Sequence, residues 1–174
     1  MNRRALCANG VVLAMWMLWL SGCPYESEAP LTPIEAARID ESLIGKWQYG
    51  SGVQGDPKGS GSITFFPFNE REFLAVIEEE GKKEDELYRA FVSVVEVEMF
   101  LNAQQIKASS EKRSWAFVNY AVCKDVLKIR IVEEKLFKEK KGSTETPYEF
   151  LRKHLKDKDL YDDEGAQVLK RVQG

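Results

Sequence analysis

The chain is poor in several things at once. One histidine and three cysteines among 174 residues leave little material for a metal centre. Basic residues do not outnumber acidic ones: 25 Lys and Arg against 28 Asp and Glu, a net charge of −3 and an isoelectric point near 5.4. No basic stripe is available for nucleic acid. The apolar run from Val11 to Leu20 is only ten residues long. As a helix it would reach about 15 Å, half of the ~30 Å hydrocarbon core of a bilayer. A mean hydropathy of −0.37 further excludes a polytopic membrane protein. The glycine-rich stretch Gly55-Asp56-Pro57-Lys58-Gly59-Ser60 lacks the G-K-[ST] ending of a phosphate loop, and no G-x-S-x-G nucleophile elbow occurs. What is present is 44% apolar and 11% aromatic residues, enough to bury the core of one ordinary domain.

The first 23 residues differ from the rest. Arg3 and Arg4 precede the apolar run, no acidic residue occurs before Glu26, and the run ends in Leu20-Ser21-Gly22-Cys23. A positive start, a short apolar centre and small residues at the exit describe a secretory signal. The tetrapeptide resembles the lipobox of bacterial lipoproteins. That resemblance implies cleavage between Gly22 and Cys23, and acylation of the Cys23 sulfur, whose thiolate is the required nucleophile. It also implies a bilayer as partner, since two or more acyl chains hold a protein on a membrane stably. Pro24, where an Asp would favour the inner membrane, points to the periplasmic face of an outer membrane. Cys7 would leave with the signal and Cys23 would carry lipid, so Cys123 would stand alone. Its apolar setting, Tyr120-Ala121-Val122-Cys123, predicts a buried thiol.

The expected organisation is a signal over 1–22, a lipidated Cys and tether over 23–32, and a folded domain over 33–174. Thr32-Pro33-Ile34-Glu35 has the pattern of a capped helix start, predicting a helix to about Ser42. From Trp47 the apolar period becomes two. Strands are expected at 46–49, 62–68, 72–79, 87–95, 104–108, 114–122, 126–132 and 167–172. The fourth of these is read as a long, bent strand: Val97, Met99 and Leu101 extend 87–95, with Glu96 and Glu98 facing away. Phe65, Phe66 and Phe68 are expected in the core. Thr146-Pro147-Tyr148-Glu149 opens a second capped helix, 147–156, with Phe150, Leu151 and Leu155 on one side. Lys135–Lys141 reads as a solvated loop, with a membrane-surface contact as the alternative. The fold class is therefore mainly β with flanking helices, a small antiparallel barrel or sandwich.

Gly45-Lys46-Trp47, entering the first strand, resembles the G-x-W motif of lipocalins, in which the Trp closes the barrel floor under an Arg from near the last strand. The resemblance implies that role for Arg171 in Leu169-Lys170-Arg171, with Arg130 as the other candidate. The layout over 43–173 is also similar to bacterial lipoproteins with a small lipocalin-like domain. Phe100-Leu101-Asn102, Trp115-Ala116-Phe117-Val118-Asn119-Tyr120, Phe150-Leu151, Leu160-Tyr161 and Leu169-Lys170-Arg171 carry that likeness. It implies no catalytic residues and no cofactor. His154 reads as a surface or half-buried helix residue, and the acidic pairs at 78–80, 133–134 and 162–163 as solvated turns. The function expected is a non-enzymatic, membrane-anchored envelope lipoprotein. Its barrel would bind one apolar ligand or, with a filled interior, a protein partner of the envelope; a hydrolase is the third reading.

Overall fold

A computed structural model describes residues 24–50, 60–106, 113–140, 144–161 and 166–173. The lipobox, Gly22 and Cys23 included, lies outside the described residues, as do 51–59 and Asp162–Asp163. Eight antiparallel strands close into a barrel: β2 (Gly45–Tyr49), β3 (Gly61–Pro67), β4 (Glu72–Glu79), β5 (Glu86–Val95), β6 (Glu98–Gln105), β7 (Trp115–Cys123), β8 (Val126–Ile131) and β9 (Gln167–Arg171). Neighbours in sequence pair in order, and β9 joins β2 to β8. A two-residue strand, β1 (Glu26–Ser27), adds to β7 where β8 diverges from it. The strands are strongly staggered. Partners taken stepwise from Trp47, through Ile63 and Ile77, arrive at Glu86, the first residue of β5, which is the tilt that barrel closure requires.

Alternation along β5, β6 and β7 explains their unbroken apolar sequence. Ala90, Val92, Leu101 and Tyr120 point into the lumen, whereas Phe91, Val95, Phe100, Trp115 and Phe117 point out. Both faces of this wall are buried, so both sets are apolar. The outer set is covered by α1 (Glu134–Lys140), α2 (Pro147–His154) and the segment before β2. In α2 Thr146 Oγ1 accepts from the Glu149 amide, and the Glu149 carboxylate accepts from the Thr146 amide. This reciprocal cap is the one its sequence predicts. The outer core is pinned by one buried amide. Asn102 accepts from the Leu31 amide (2.8 Å) and donates to Ser93 Oγ (2.8 Å) and to the Phe91 carbonyl (3.2 Å).

Several expectations are corrected. The predicted helix after Thr32 is two 3-10 turns, Ile34–Ala36 and Glu41–Leu43, separated by extended backbone at Ala37. The Thr32 hydroxyl bonds Ser93 Oγ at 2.6 Å instead of capping, and Leu31, Ala37 and Leu43 are all buried. Tertiary anchors along the wall override local propensity. Residues 24–32, expected as a tether, are part of the folded body, with Ser27 and Leu31 buried. The bent strand is a hairpin: Val95 pairs with Glu98 across the turn Glu96-Val97. Glu96 adopts φ 57 and Val97 is 88% exposed. Lys135–Lys140 is helical and buries Leu136 and Phe137. Phe65 is buried, but Phe66 faces outward on the uncovered side of β3 and Phe68 lies beyond its end, 50% and 70% exposed. Cys123, outward by alternation after Val122 and last in β7, is exposed rather than buried.

Candidate functional site

The two ends of the lumen are built differently. At the end where β2 begins, the 3-10 turn Glu41–Leu43 lies across the opening. Leu43 is fully buried among the lumen side chains, and Ile39 and Ile44 pack against them. Trp47 is also fully buried, and its Nε1–H donates to the Leu43 carbonyl at 2.8 Å. Arg171 covers the indole, its guanidinium carbon 4.1 Å from the ring centre, and donates to the carbonyls of Ile44 and Ser42, each at 2.6 Å. Cation–π contact and two charge-assisted hydrogen bonds thus tie the last strand to the turn beneath the first. Gly45 has φ +118, and a Cβ there would lie 3.1 Å from Arg171 Nη1. Only glycine meets both the backbone angle and the space. Arg130, the alternative partner for Trp47, lies over Tyr161 instead, at 4.0 Å, and donates to Asn119 Oδ1.

Phe65, Phe73, Tyr120 and Leu127 fill the lumen above this floor. The Tyr120 hydroxyl donates to Asp40 at 2.8 Å. Burial first, and this bond to a carboxylate second, push its pKa well above the ordinary tyrosine value. Near the strand ends at this side Met99 and Val122 are half-buried, and their lumen-side neighbours Val94 and Pro67 are exposed.

At the opposite end, solvent reaches lumen-facing residues well down the strands. Ile77, Tyr88, Ala103, Ala116, Val118 and Ile129 are all half-buried. Three alanines stand side by side across the wall: Ala90 is the direct partner of Ala103, and Ala103 of Ala116. Directly opposed residues share a face, so the lumen side of β5–β7 carries minimal side chains toward this end. Tyr88 supplies a polar tip beside Gln105, its strand partner. Its hydroxyl donates to Glu86 at 2.8 Å. Burial, then this hydrogen bond, raise its pKa beyond the ordinary range, so it stays a neutral donor. The rim between β4 and β5 is acidic. Glu79 and Glu86 hold Lys82, each at 3.0 Å, while Glu80, Glu84 and Asp85 are exposed. An apolar wall with tyrosine hydroxyls at Tyr49 and Tyr88 and an anionic rim would suit an apolar group and disfavour an anionic head.

His154 Nδ1 meets Asp157 Oδ2 at 2.7 Å, and its ring tilts against Phe150 at 4.5 Å. The His154 hydrogen bond, with a second from Lys140, holds the Asp157 carboxyl below its usual value. This pair ties the end of α2 to the following turn. Among the described residues no group of three or more His, Cys, Asp or Glu is placed to hold a metal ion, and no helix is long and apolar enough to cross a membrane.

Gly45, Trp47 and Arg171, singled out in the sequence, meet at the floor. The residues lining the mouth were not singled out. Their signal, three alanines in register, becomes visible only once the Glu96-Val97 hairpin sets the pairing of β5 with β6. Compared with protein-family models, curated proteins and solved structures, the chain matches none.

Proposed function

We propose that the chain is a non-enzymatic bacterial envelope lipoprotein, anchored through acylated Cys23, whose lipocalin-like barrel holds one apolar ligand at its open end. The anchor rests on the lipobox Leu20-Ser21-Gly22-Cys23, and Pro24 favours the periplasmic face of the outer membrane. The lipocalin-like reading is supported by G-x-W at the start of β2, a 3-10 turn across the floor, and Arg171 over Trp47. One observation carries the ligand: Val118 and Ile129 face the lumen in mid-strand and are still half-buried. An eight-stranded barrel has room for packed side chains or for one small ligand, and a fully packed lumen would seal such positions. The acidic rim selects an uncharged or cationic head group over a carboxylate.

Native mass spectrometry of the acylated protein, purified from its host in a mild detergent, tests the reading. A protein mass carrying one additional small apolar molecule is the expected result. Uniformly ligand-free protein that also fails to take up an uncharged polyene alcohol would reject it. A second reading, a partner-binding protein with a filled barrel, is favoured by the aromatic packing of Trp47, Phe65, Phe73 and Tyr120 over the floor. Ligand-free protein that co-purifies with one envelope protein in stoichiometric amount would select it.

A further inference from the structure

From the mouth, solvent reaches the lumen only as far as a level boundary. On β6 the half-buried Ala103 is followed two positions deeper by the sealed Leu101, on β7 Val118 by Tyr120, and on β8 Ile129 by Leu127. The same step separates Ile77 from Ala75 on β4 and Tyr88 from Ala90 on β5, and each sealed residue is no more than 5% exposed. Each sealed residue on β4–β7 also pairs with the half-buried one of the next strand: Ala75 with Tyr88, Ala90 with Ala103, Leu101 with Val118 and Tyr120 with Ile129. The boundary thus moves one inward position per strand, and in strands tilted by roughly 35–45° such a staircase stays level across the barrel. The rim steps in the same way, Glu86 pairing with Ile77 and Gln105 with Tyr88. On β4, β5 and β6 the seal therefore keeps a constant distance below the rim, from Glu79 to Ala75, Glu86 to Ala90 and Gln105 to Leu101. That stretch of strand spans about 13 Å, or about 10 Å along the axis, the length of about eight carbons of an extended chain.

We infer that the barrel admits only the end of its ligand, the terminal part of one unbranched alkyl chain, and leaves the head group outside at the rim. This rests on the ligand-holding mouth proposed above and sets its ligand class: an amphiphile with a slender tail and a head free of negative charge, not a lipid engulfed whole. Beyond the boundary Phe65, Phe73 and Trp47 fill the barrel, and the half-buried Met99 and Val122 lie on its far side as partners of Tyr120 and Leu127. No deeper chamber is left for a longer tail on the mouth side of that layer. The half-buried wall above it is aliphatic at Ile77, Val118 and Ile129, and the Tyr88 hydroxyl is turned to Glu86. An eight-stranded interior that already holds these side chains leaves width for one chain. Charge at the exit is negative: Glu79 and Glu86 flank Lys82, and Glu80, Glu84 and Asp85 are exposed.

Calorimetric titration of the full chain with straight-chain 1-alkanols of increasing length tests the depth. Each methylene that leaves water for the lumen should tighten binding about fourfold (~0.8 kcal/mol). The gain should hold up to about eight carbons and fall below about 1.5-fold per carbon beyond that. Ala103→Leu, which adds bulk just above the seal, should end the gain about two carbons earlier, and Ile129→Phe gives the same test from β8 if Ala103→Leu lowers the urea midpoint. A fourfold gain per carbon that continues through undecanol, or an end point that these variants leave in place, overturns the limited depth while the ligand-holding mouth stands. Binding of no alkanol at any length overturns the mouth itself and this inference with it.

Discussion

The floor and the mouth of one barrel make opposite use of the same strands. At the floor, large side chains meet: Trp47 under Arg171, Leu43 from the turn, then Phe65, Phe73 and Tyr120. At the mouth the wall carries alanines, and solvent reaches as far as Val118 and Ile129. Close packing of large side chains at the floor contrasts with smaller, half-buried ones on the β5–β7 wall at the mouth. On the proposed function, stability and binding would be separated along the barrel axis. Substitutions at the floor should change stability, and those at the mouth should change ligand uptake.

The strongest way to break the contrast is Trp47→Ala. It removes a fully buried indole, its bond to Leu43 and the surface beneath Arg171. A loss of about 3–5 kcal/mol is expected in urea unfolding. A loss below about 1 kcal/mol would mean that the floor does not hold the barrel. Next comes Asn102→Ala on the outer wall. It strands the buried Leu31 amide and removes two donated bonds, which should cost about 2–3 kcal/mol and loosen residues 24–32 in hydrogen exchange.

A matched pair sharpens the comparison within a single row of partners. Ala90 is 1% exposed and Ala116 is half-buried. Ala90→Phe should overpack the lumen and cost about 1–3 kcal/mol, whereas Ala116→Phe should cost under about 1 kcal/mol by extending toward the mouth. Equal losses from both would show that the lumen is equally packed along its length.

The smallest effect is electrostatic. Glu72, at the floor end of β4, is 7% exposed. Burial alone would raise its pKa, but hydrogen bonds from Arg89 and from Asn69 outweigh it and hold the carboxyl below 4.5. A carboxyl lowered by folding stabilises the protein above its unfolded pKa, and that contribution is lost as pH falls through the folded value. The urea midpoint should therefore decline below about pH 4.5. Glu72→Gln should flatten that decline and leave the mouth unaffected.

Much of this architecture is legible in the sequence, for reasons that also explain what is not. Period-two alternation at 62–66, 72–77 and 126–131 places those strands, and Thr146-Pro147-Tyr148-Glu149 places α2, because local chemistry and tertiary structure agree there. The Glu96-Val97 turn carries no Gly, Asn or Pro, so a continuous apolar strand is the natural expectation. Glu96 is held at positive φ by the pairing of β5 with β6 on either side of it. The helix α1 is hidden by its lysines, since only Leu136 and Phe137 turn inward over seven residues. The segment after Thr32 has good helical capping chemistry, but its anchors at Asn102, Ser93 and Tyr120 are distant in sequence. Of the site, the Gly45, Trp47 and Arg171 floor is suggested by a local motif, whereas the mouth is made by register between strands and has no local signature.

Fluorescence titration with an uncharged polyene alcohol, run in parallel on the unaltered protein and Ala116→Phe, tests the division of the barrel most directly. Saturable uptake at one site by the unaltered protein, lost in Ala116→Phe while the urea midpoint is retained, is the predicted result. No uptake by the unaltered protein, or equal uptake by both, would contradict a ligand-holding mouth.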